Sequence, residues 1–321
     1  MVIWAGIDLG GTSIKSGLTD DNGNLLRRLQ SRTPVDEGYE AVMRLMVQML
    51  EKLAYDHKVS LNEISGAGIG APGTCSPEGL IYFANNLYWE DKPLQKDMTK
   101  LLGIPVFVEN DASVGAMGEM VCGSLKGITN GILLTLGTGL GSGIVINGDV
   151  YSGSHGLGRQ VGHMKVGRNF YDCTCGGNGC LETFASATAL VRYYEHRRQE
   201  QGVMEDENHQ KITARFVMEE AARNEPIAVE SLQRLLQYLG IGIANLINTL
   251  DPELIALGGG LSKAGDQLLN PLQEQISINL YDQKRFYTKI IPATLGNEAG
   301  MIGSAMFARR KINKERSSSS I

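Results

Sequence analysis

Near the N-terminus, apolar strand-like segments are separated by two turns that contain glycine. The segments from Val2 to Leu9 and from Lys15 to Thr19 predict two strands, joined by residues 10–13. A second turn at residues 21–24 leads into a third predicted strand. This part of the chain is therefore predicted to form a small antiparallel meander.

Later segments carry their apolar residues at the spacing of an amphipathic helix. They predict helices over residues 38–53, 187–200, 213–223, 228–250 and 298–311. Shorter apolar runs predict strands over residues 67–70, 106–108, 132–136, 143–146 and 254–257. The alternation of strands with helices predicts an α/β fold. The second hairpin resembles the first in kind, which indicates two related halves.

The composition is that of a globular protein with a sizeable core. Hydrophobic residues make up 42% and charged residues 20% of the 321 positions, a length that predicts about two domains. The formal net charge of -5 leaves no global positive field, so nucleic acid and anionic membranes are not expected as partners. We find no secretory signal and no apolar run near the roughly 20 residues of a membrane span, so a cytoplasmic location is expected.

The cysteines indicate a metal site. Five cysteines, an odd number without a secretory signal, predict reduced thiols or metal ligands rather than disulfides. Four residues follow the spacing H-x9-C-x-C-x4-C, namely His163, Cys173, Cys175 and Cys180. Three thiolates and one imidazole complete a tetrahedral shell, which predicts a structural Zn²⁺ with no open position; the alternative is a chance grouping. Cys75 and Cys122 lie outside this pattern and are interpreted as ordinary small residues.

Three glycine turns, at residues 8–12, 137–141 and 258–260, each follow a predicted strand. Backbone N–H groups in such turns can converge on phosphate because no Cβ obstructs the approach. Together the turns predict a nucleotide site, although any one of them alone is equally compatible with an ordinary hairpin. No Walker motif is present, since Lys15 follows the first turn on a strand, and no G-x-G-x-x-G precedes a helix. A P-loop or dinucleotide-binding fold is therefore not expected.

Two carboxylates stand at predicted strand ends. Asp8 precedes the first glycine turn, where it can hold Mg²⁺ through water or simply cap the turn. Asp111 follows Glu109 and Asn110 after an apolar strand. A carboxylate there, beside an amide able to bind a hydroxyl group, suits a general base that takes a proton as the hydroxyl attacks phosphorus. A solvated loop is the alternative interpretation.

In order and approximate spacing, these motifs resemble the ROK family of sugar kinases and repressors, from Gly6 to about Phe307. The resemblance implies the actin-like ATPase fold: two α/β domains around a central cleft, with ATP on one side and a hexose deep within. The expected boundaries are a small domain over residues 1–117 with the closing helix at 300–311, a large zinc-bearing domain over residues 118–299, and a disordered tail at residues 312–321.

The resemblance also implies roles for individual residues. Asp111 corresponds to the catalytic base. Sugar ligands are implied at Asn110, His163 (through its second ring nitrogen) and Glu182, with Asn86 and Gly73 as weaker candidates. The expected nucleotide-binding residues are Asp8, Gly10, Gly11, Thr12, Lys15, Gly137, Thr138, Gly139, Gly258, Gly259 and Gly260. The implied cofactors are ATP, Mg²⁺ and structural Zn²⁺, and the implied assembly is a homodimer or homotetramer.

One position departs from the family pattern Gly-Glu-x-Gly-His, because Gln160 stands where the glutamate contacts the sugar. A charge-assisted hydrogen bond of about 1.5–3 kcal/mol would become a neutral one of about 0.5–1.5 kcal/mol. Gln160 is therefore expected to tune sugar affinity or choice without abolishing transfer.

The expected function is ATP-dependent phosphorylation of a hexose hydroxyl, with the 6-hydroxyl of glucose first and allose, mannose, fructose or N-acetylmannosamine as alternatives. A repressor of the same family would carry an N-terminal helix-turn-helix, for which the seven residues before Asp8 leave no room. A non-catalytic sugar-binding regulator is the remaining alternative, and only Gln160 favours it.

Overall fold

The computed structural model describes residues 1–202 and 212–318. Within these residues the chain forms thirteen β-strands and eight α-helices. The strands are β1 (Ile3–Leu9), β2 (Ser13–Thr19), β3 (Leu25–Arg32), β4 (Ile64–Ala71), β5 (Thr74–Cys75), β6 (Ile81–Ala84), β7 (Trp89–Lys92), β8 (Val106–Asn110), β9 (Gly131–Leu136), β10 (Leu140–Ile146), β11 (Asp149–Tyr151), β12 (Leu254–Gly258) and β13 (Lys289–Pro292). The helices are α1 (Tyr39–Asp56), α2 (Leu94–Leu102), α3 (Asp111–Cys122), α4 (Ala187–Glu200), α5 (Ala214–Ala222), α6 (Pro226–Leu250), α7 (Asp266–Ser277) and α8 (Ala299–Ser318).

The chain divides into two compact units that differ in extent from the predicted domains. Unit 1 comprises Met1–Thr129, Gly143–Arg159 and Ala293–Ile321, and unit 2 comprises Asn130–Ser142 and Gln160–Pro292. Residues 118–129 therefore fall in unit 1, because α3 runs without interruption across the predicted boundary at residue 117. Residues 143–159 also fall in unit 1, where β11 packs on α3.

The sheet of unit 1 has the order β3-β2-β1-β4-β8, in which β1, β4 and β8 run parallel and β1, β2 and β3 form the predicted meander. In this register Asp8 lies opposite Gly70, and Gly70 lies opposite Glu109. Parallel strands end at the same edge of a sheet, so the residues that follow β1 and β8 share that edge. Helices α1 and α2 belong to the core cluster of this unit, whereas α3 and α8 build a second cluster around Trp4.

Helix α8 lies directly on the strands of unit 1. A Cβ atom on Gly6 would stand 1.9 Å from the carbonyl oxygen of Met301, and one on Gly68 would stand 1.8 Å from that of Ser304. Only glycine allows this approach at these positions. The Ser304 hydroxyl also donates to the carbonyl oxygen of Ile7 at 2.9 Å.

The same helix extends beyond its predicted end at residue 311, into the segment that was predicted to be disordered. Ile312 is buried, and Lys314 forms an ion pair with Asp149, so burial and charge pairing both continue past that point. Helix α8 ends at Ser318, and residues 319–321 lie outside the described residues.

A buried carboxylate fixes the far end of α3. Glu119 is fully buried and accepts hydrogen bonds from the backbone N–H groups of Ser124 at 2.7 Å and Leu295 at 2.8 Å. The hydroxyl groups of Ser124 and Thr294 donate to the same side chain. These donors are all neutral, and they connect α3 to the segment that precedes α8.

In unit 2, β12 lies between β9 and β13 and is parallel to both. Helix α6 packs against α4, α5 and α7, and its 25 residues begin at Pro226, where the missing N–H of proline costs nothing. None of the helices within residues 1–202 and 212–318 combines the length and apolar character that crossing a bilayer requires.

Candidate functional site

Asp8 lies at the end of β1, at the sheet edge of unit 1 that β1 and β8 share. Its carboxylate pairs with the Lys15 ammonium group at 3.3 Å, across the β1–β2 hairpin. It also lies against the first turn of α8, since a Cβ on Gly300 would stand 2.7 Å from the Asp8 Cγ. Burial raises the pKa of Asp8, and Lys15 lowers it in part. This is a confined carboxylate with one cationic partner, a setting suited to holding a hydrated divalent cation.

The first glycine turn is closed by its own backbone. The N–H of Gly10 donates to the Ser13 carbonyl oxygen at 3.0 Å, and the Thr33 hydroxyl donates to the Gly10 carbonyl oxygen at 2.6 Å. Gly11 packs against Asn86, whose carbonyl oxygen would lie 2.8 Å from a Cβ at that position. The predicted residue Asn86 is therefore placed at this turn.

Asn110 and Asp111 occupy the start of α3. The side-chain oxygen of Asn110 accepts the backbone N–H groups of Ala112 at 3.1 Å and Ser113 at 3.2 Å, which makes Asn110 the N-cap of the helix. Its amide nitrogen donates to the Gly73 carbonyl oxygen at 3.0 Å and to Asp111 Oδ1 at 2.9 Å. Asp111 Oδ1 also accepts the Ala112 N–H at 2.7 Å. The Asp111 carboxylate is thus oriented by two donors on one of its oxygens.

The electrostatic setting of Asp111 suits a base. Burial raises the pKa of its carboxyl to about 6, and the nearby negative charge of Asp8 acts in the same direction. The Ala112 N–H, the Arg159 charge and the Asn110 amide all lower it. At neutral pH the group is ionised, yet it is more basic than an exposed aspartate.

Sequence reasoning missed the buried ion pair beside this site. Glu109 is 7% exposed and Arg159 is 6% exposed, and the Arg159 Nη2 lies 2.6 Å from the Glu109 Oε1. In the sequence, Arg159 directly precedes Gln160 and belongs to none of the motifs. Because fifty positions separate the two partners, no local pattern could have paired them.

Two glycine turns of unit 2 meet at the ends of β9 and β12. Gly258 lies opposite Thr135 in the parallel register. Gly259 has a φ of 85°, and a Cβ there would stand 2.4 Å from the Leu136 carbonyl oxygen, so this close approach requires glycine. The turn of Gly258, Gly259 and Gly260 therefore begins beside the end of β9, which leads into the turn of Gly137, Thr138 and Gly139.

The four predicted metal ligands also converge in unit 2. The ligand atoms of His163, Cys173, Cys175 and Cys180 all lie within 4.8 Å of one another. Ligands at about 2.0–2.3 Å from a common ion in a tetrahedral shell would have such separations. Burial raises the pKa of the Cys173 thiol, and a bound cation would favour the thiolate form. The donor set and its crowding fit a closed metal centre.

Two polar residues border this cluster. The Lys165 Nζ donates to the Cys180 Sγ at 2.9 Å, which places a positive charge beside the sulfur-rich group. The Glu182 Oε2 accepts the Leu140 N–H at 2.9 Å, and its Oε1 lies 3.9 Å from the Cys173 Sγ. Glu182 therefore connects the cysteine cluster to the turn at Gly139.

Gln160 is exposed, and its carbonyl oxygen accepts the His163 N–H at 3.0 Å.

The architecture and these motifs can be compared with those of known proteins. The model of the ROK family matches residues 4–311. The chain belongs to the ROK family. This ROK protein is 36% identical over 317 residues to a glucokinase of Halalkalibacterium halodurans, an alignment that covers 97% of this chain and 96% of the relative.

A solved structure and a regulator extend the comparison of this ROK protein. A ROK family glucokinase from Streptomyces griseus, solved in complex with glucose and AMPPNP, aligns with a TM-score of 0.81 and 31% identity, covering 96% of this chain and 99% of that one. The xylose repressor of Bacillus subtilis is 30% identical over 93% of this chain but 74% of its own length. The predicted family and the predicted actin-like ATPase fold are therefore confirmed.

Proposed function

We propose that this ROK protein transfers the terminal phosphoryl group of ATP to a hydroxyl group of a hexose, with the 6-hydroxyl of glucose as the first candidate. The observation that carries the proposal is the oriented Asp111 carboxylate, whose pKa is raised to about 6 at the start of α3. The glucokinase relative and the glucose-bound neighbour support the choice of sugar and nucleotide.

In this proposal Asp111 is the general base. The Asn110 amide and the Ala112 N–H hold Oδ1, so Oδ2 is the oxygen that receives the proton of the sugar hydroxyl. The sugar oxygen that loses this proton then bonds to the terminal phosphorus of ATP, while the bond from that phosphorus to the ADP oxygen breaks. The residues contribute positioning and charge, which are the main terms in phosphoryl transfer.

The nucleotide is assigned to the glycine turns and the Asp8–Lys15 pair. Asp8 would hold Mg²⁺ through the ion's water shell, and the ion when bound offsets charge on the transferred phosphoryl group. Residues 10–12, 137–139 and 258–260 would face the phosphates and the rest of the nucleotide. The N–H groups of Gly10 and Gly137 already close their own turns, so other amides of these turns must meet the phosphates.

The proposed hexose ligands are Asn86, Asn110, Gln160, His163 and Glu182. Asn110 already bonds four groups, so a sugar hydroxyl would gain this ligand by displacing the Gly73 carbonyl oxygen. The side chains of His163, Cys173, Cys175 and Cys180 would hold a structural Zn²⁺ that fixes the His163 ring and the segment leading to Glu182.

The pH dependence follows from the raised pKa of Asp111. Because the base must be ionised to accept a proton, kcat/KM should fall about tenfold per pH unit below pH 6 and level off above it. Steady-state rates at saturating ATP between pH 5 and 8 measure this fall, which is the acid limb of the pH profile. A profile that is flat down to pH 5 would exclude a base with this pKa.

Changing Gln160 to glutamate should restore a charge-assisted bond to the sugar. We expect the KM for glucose to fall about fivefold, the equivalent of about 1 kcal/mol, while kcat changes little. The control is Gln199→Glu, which adds the same charge at an exposed position of α4. If KM and kcat for each sugar in a panel of hexoses are the same in Gln160→Glu and in the wild type, the tuning role of Gln160 is refuted.

A non-catalytic sugar-binding regulator is the second candidate, supported by the neutral Gln160 and by the repressor relative. An ADP-coupled assay with ATP and a panel of hexoses separates the two functions. ADP formation that depends on a hexose supports the kinase. Binding of a hexose without ADP formation supports the regulator and overturns the kinase proposal.

We also infer a cytoplasmic location, because the cysteine cluster requires reduced thiols. A homodimer or homotetramer is proposed from membership of the family. Light scattering of the purified protein tests the assembly, and a monomeric mass would overturn it.

A further inference from the structure

The buried ion pair of unit 1 involves one carboxylate with several donors. Glu109 Oε1 accepts the Arg159 guanidinium at 2.6 Å and the backbone N–H of Asn110 at 2.7 Å. Glu109 Oε2 accepts the Ser152 hydroxyl at 2.8 Å, and the Cys75 thiol lies 3.8 Å from Oε1. Burial raises the pKa of Cys75 to about 12, so the thiol stays a neutral donor. A single carboxylate oxygen therefore joins Arg159 to the backbone of Asn110.

This arrangement carries a free-energy cost in the folded protein. Removing two charges from water costs several kcal/mol per ion, and a buried ion pair often stabilises a fold no more than apolar side chains of the same size. Arg159 also has a φ of 65°, in the left-handed region that a residue with a Cβ rarely adopts. Stability alone does not account for both costs, which points to a role in the adjacent site.

We propose that Arg159 is a positioning residue for phosphoryl transfer, which acts by holding Glu109 so that the Asn110 backbone, and with it the Asp111 carboxylate, keeps one direction at the end of β8. The proposal rests on the proposed function, because it takes Asp111 as the base. In this scheme Arg159 acts through Glu109 and does not bind a substrate.

The contacts form a continuous path. Arg159 bonds Glu109, Glu109 bonds the Asn110 N–H, and the Asn110 side chain bonds Asp111 Oδ1 while it caps α3. The positive charge of Arg159 has a second effect, because it lowers the pKa of Asp111 against the effects of burial and of Asp8. Asp8, whose charge raises the pKa of Asp111, is paired with Lys15, and Arg159, whose charge lowers it, is paired with Glu109.

The test is the Arg159→Met variant, which removes the charge and keeps most of the side-chain length. A base that has lost its direction should lower kcat by about 10- to 100-fold. The acid limb of kcat/KM should move to higher pH, because a positive charge near Asp111 is lost. Arg159→Lys should recover part of kcat and of the pH shift.

The control is Glu119→Gln, which alters a buried carboxylate of α3 at the end of the helix that is far from Asp111. It should lower Tm without changing kcat or the acid limb. A readout independent of transfer is hydrogen exchange of the Asn110 amide, which should quicken about tenfold in Arg159→Met and stay unchanged in Glu119→Gln.

The outcomes separate the two proposals. A folded Arg159→Met variant with wild-type kcat, an unchanged acid limb and unchanged Asn110 exchange overturns the positioning role. A wild-type protein that phosphorylates no hexose overturns the proposed function and, with it, the catalytic role of Arg159, while the exchange measurement still decides whether Arg159 holds the Asn110 backbone.

Discussion

Changing Asp111 to asparagine should lower kcat for hexose phosphorylation by about 10²- to 10⁴-fold, the contribution typical of a general base. Asparagine has nearly the same shape and can still accept the Ala112 N–H, so α3 should begin at the same residue. It does not accept the proton of the sugar hydroxyl. Hexose binding, measured by calorimetry, should therefore survive while turnover is lost.

The matched control for this variant is Asp266→Asn. Asp266 is also the first residue of a helix, α7, but it is exposed and lies outside the proposed site. This control should keep wild-type kcat and Tm. Near-wild-type turnover in Asp111→Asn would remove Asp111 from the role of base.

Changing Cys180 to serine should release the metal that we propose for the cysteine cluster. Cys180 is fully buried beside Lys165, and a serine hydroxyl is a much weaker zinc ligand than a thiolate. We expect the zinc content to fall from one ion per chain to nearly none. Tm should fall by at least about 5 °C, since 1 kcal/mol shifts Tm by roughly 2–4 °C in a domain of this size.

Activity should be lost with the metal, because the same segment leads to Glu182, which holds Leu140 and the turn at Gly139. Elemental analysis and thermal denaturation measure the effect. Cys122→Ser is the control, since Cys122 lies outside the cluster and is only partly buried. A Cys180→Ser protein with full zinc content and unchanged Tm would contradict the assignment of this residue as a ligand.

Several helices whose apolar residues follow one face were predicted from the sequence, whereas α2 and α7, which also bury one face, were not. The segments that became α1, α4, α5 and α6 were predicted to within about three residues at each end. Helix α3 was not predicted, although it carries the proposed base. It is buried at most of its positions, from Ala112 through Glu119, so no polar face marks its period.

In the candidate site, residues in local motifs were predicted, whereas their partners from distant parts of the chain were not. Asp8, Asp111 and the glycine turns stand in recognisable motifs beside strands, and the cysteine spacing alone indicates a metal site. The partners that tune these groups come from far along the chain. Gly300 against Asp8 and Arg159 beside Glu109 are brought into contact only by the fold.

The contact between α8 and the first strand has a consequence for how the protein is made. Ser304 bonds the carbonyl oxygen of Ile7, a residue 297 positions earlier, and α8 covers the sheet face at Gly6. During translation the N-terminal strands emerge long before the helix that covers them. Unit 1 therefore cannot complete its folding until α8 has been synthesised, and a ribosome stalled before α8 would expose an uncovered apolar sheet to chaperones.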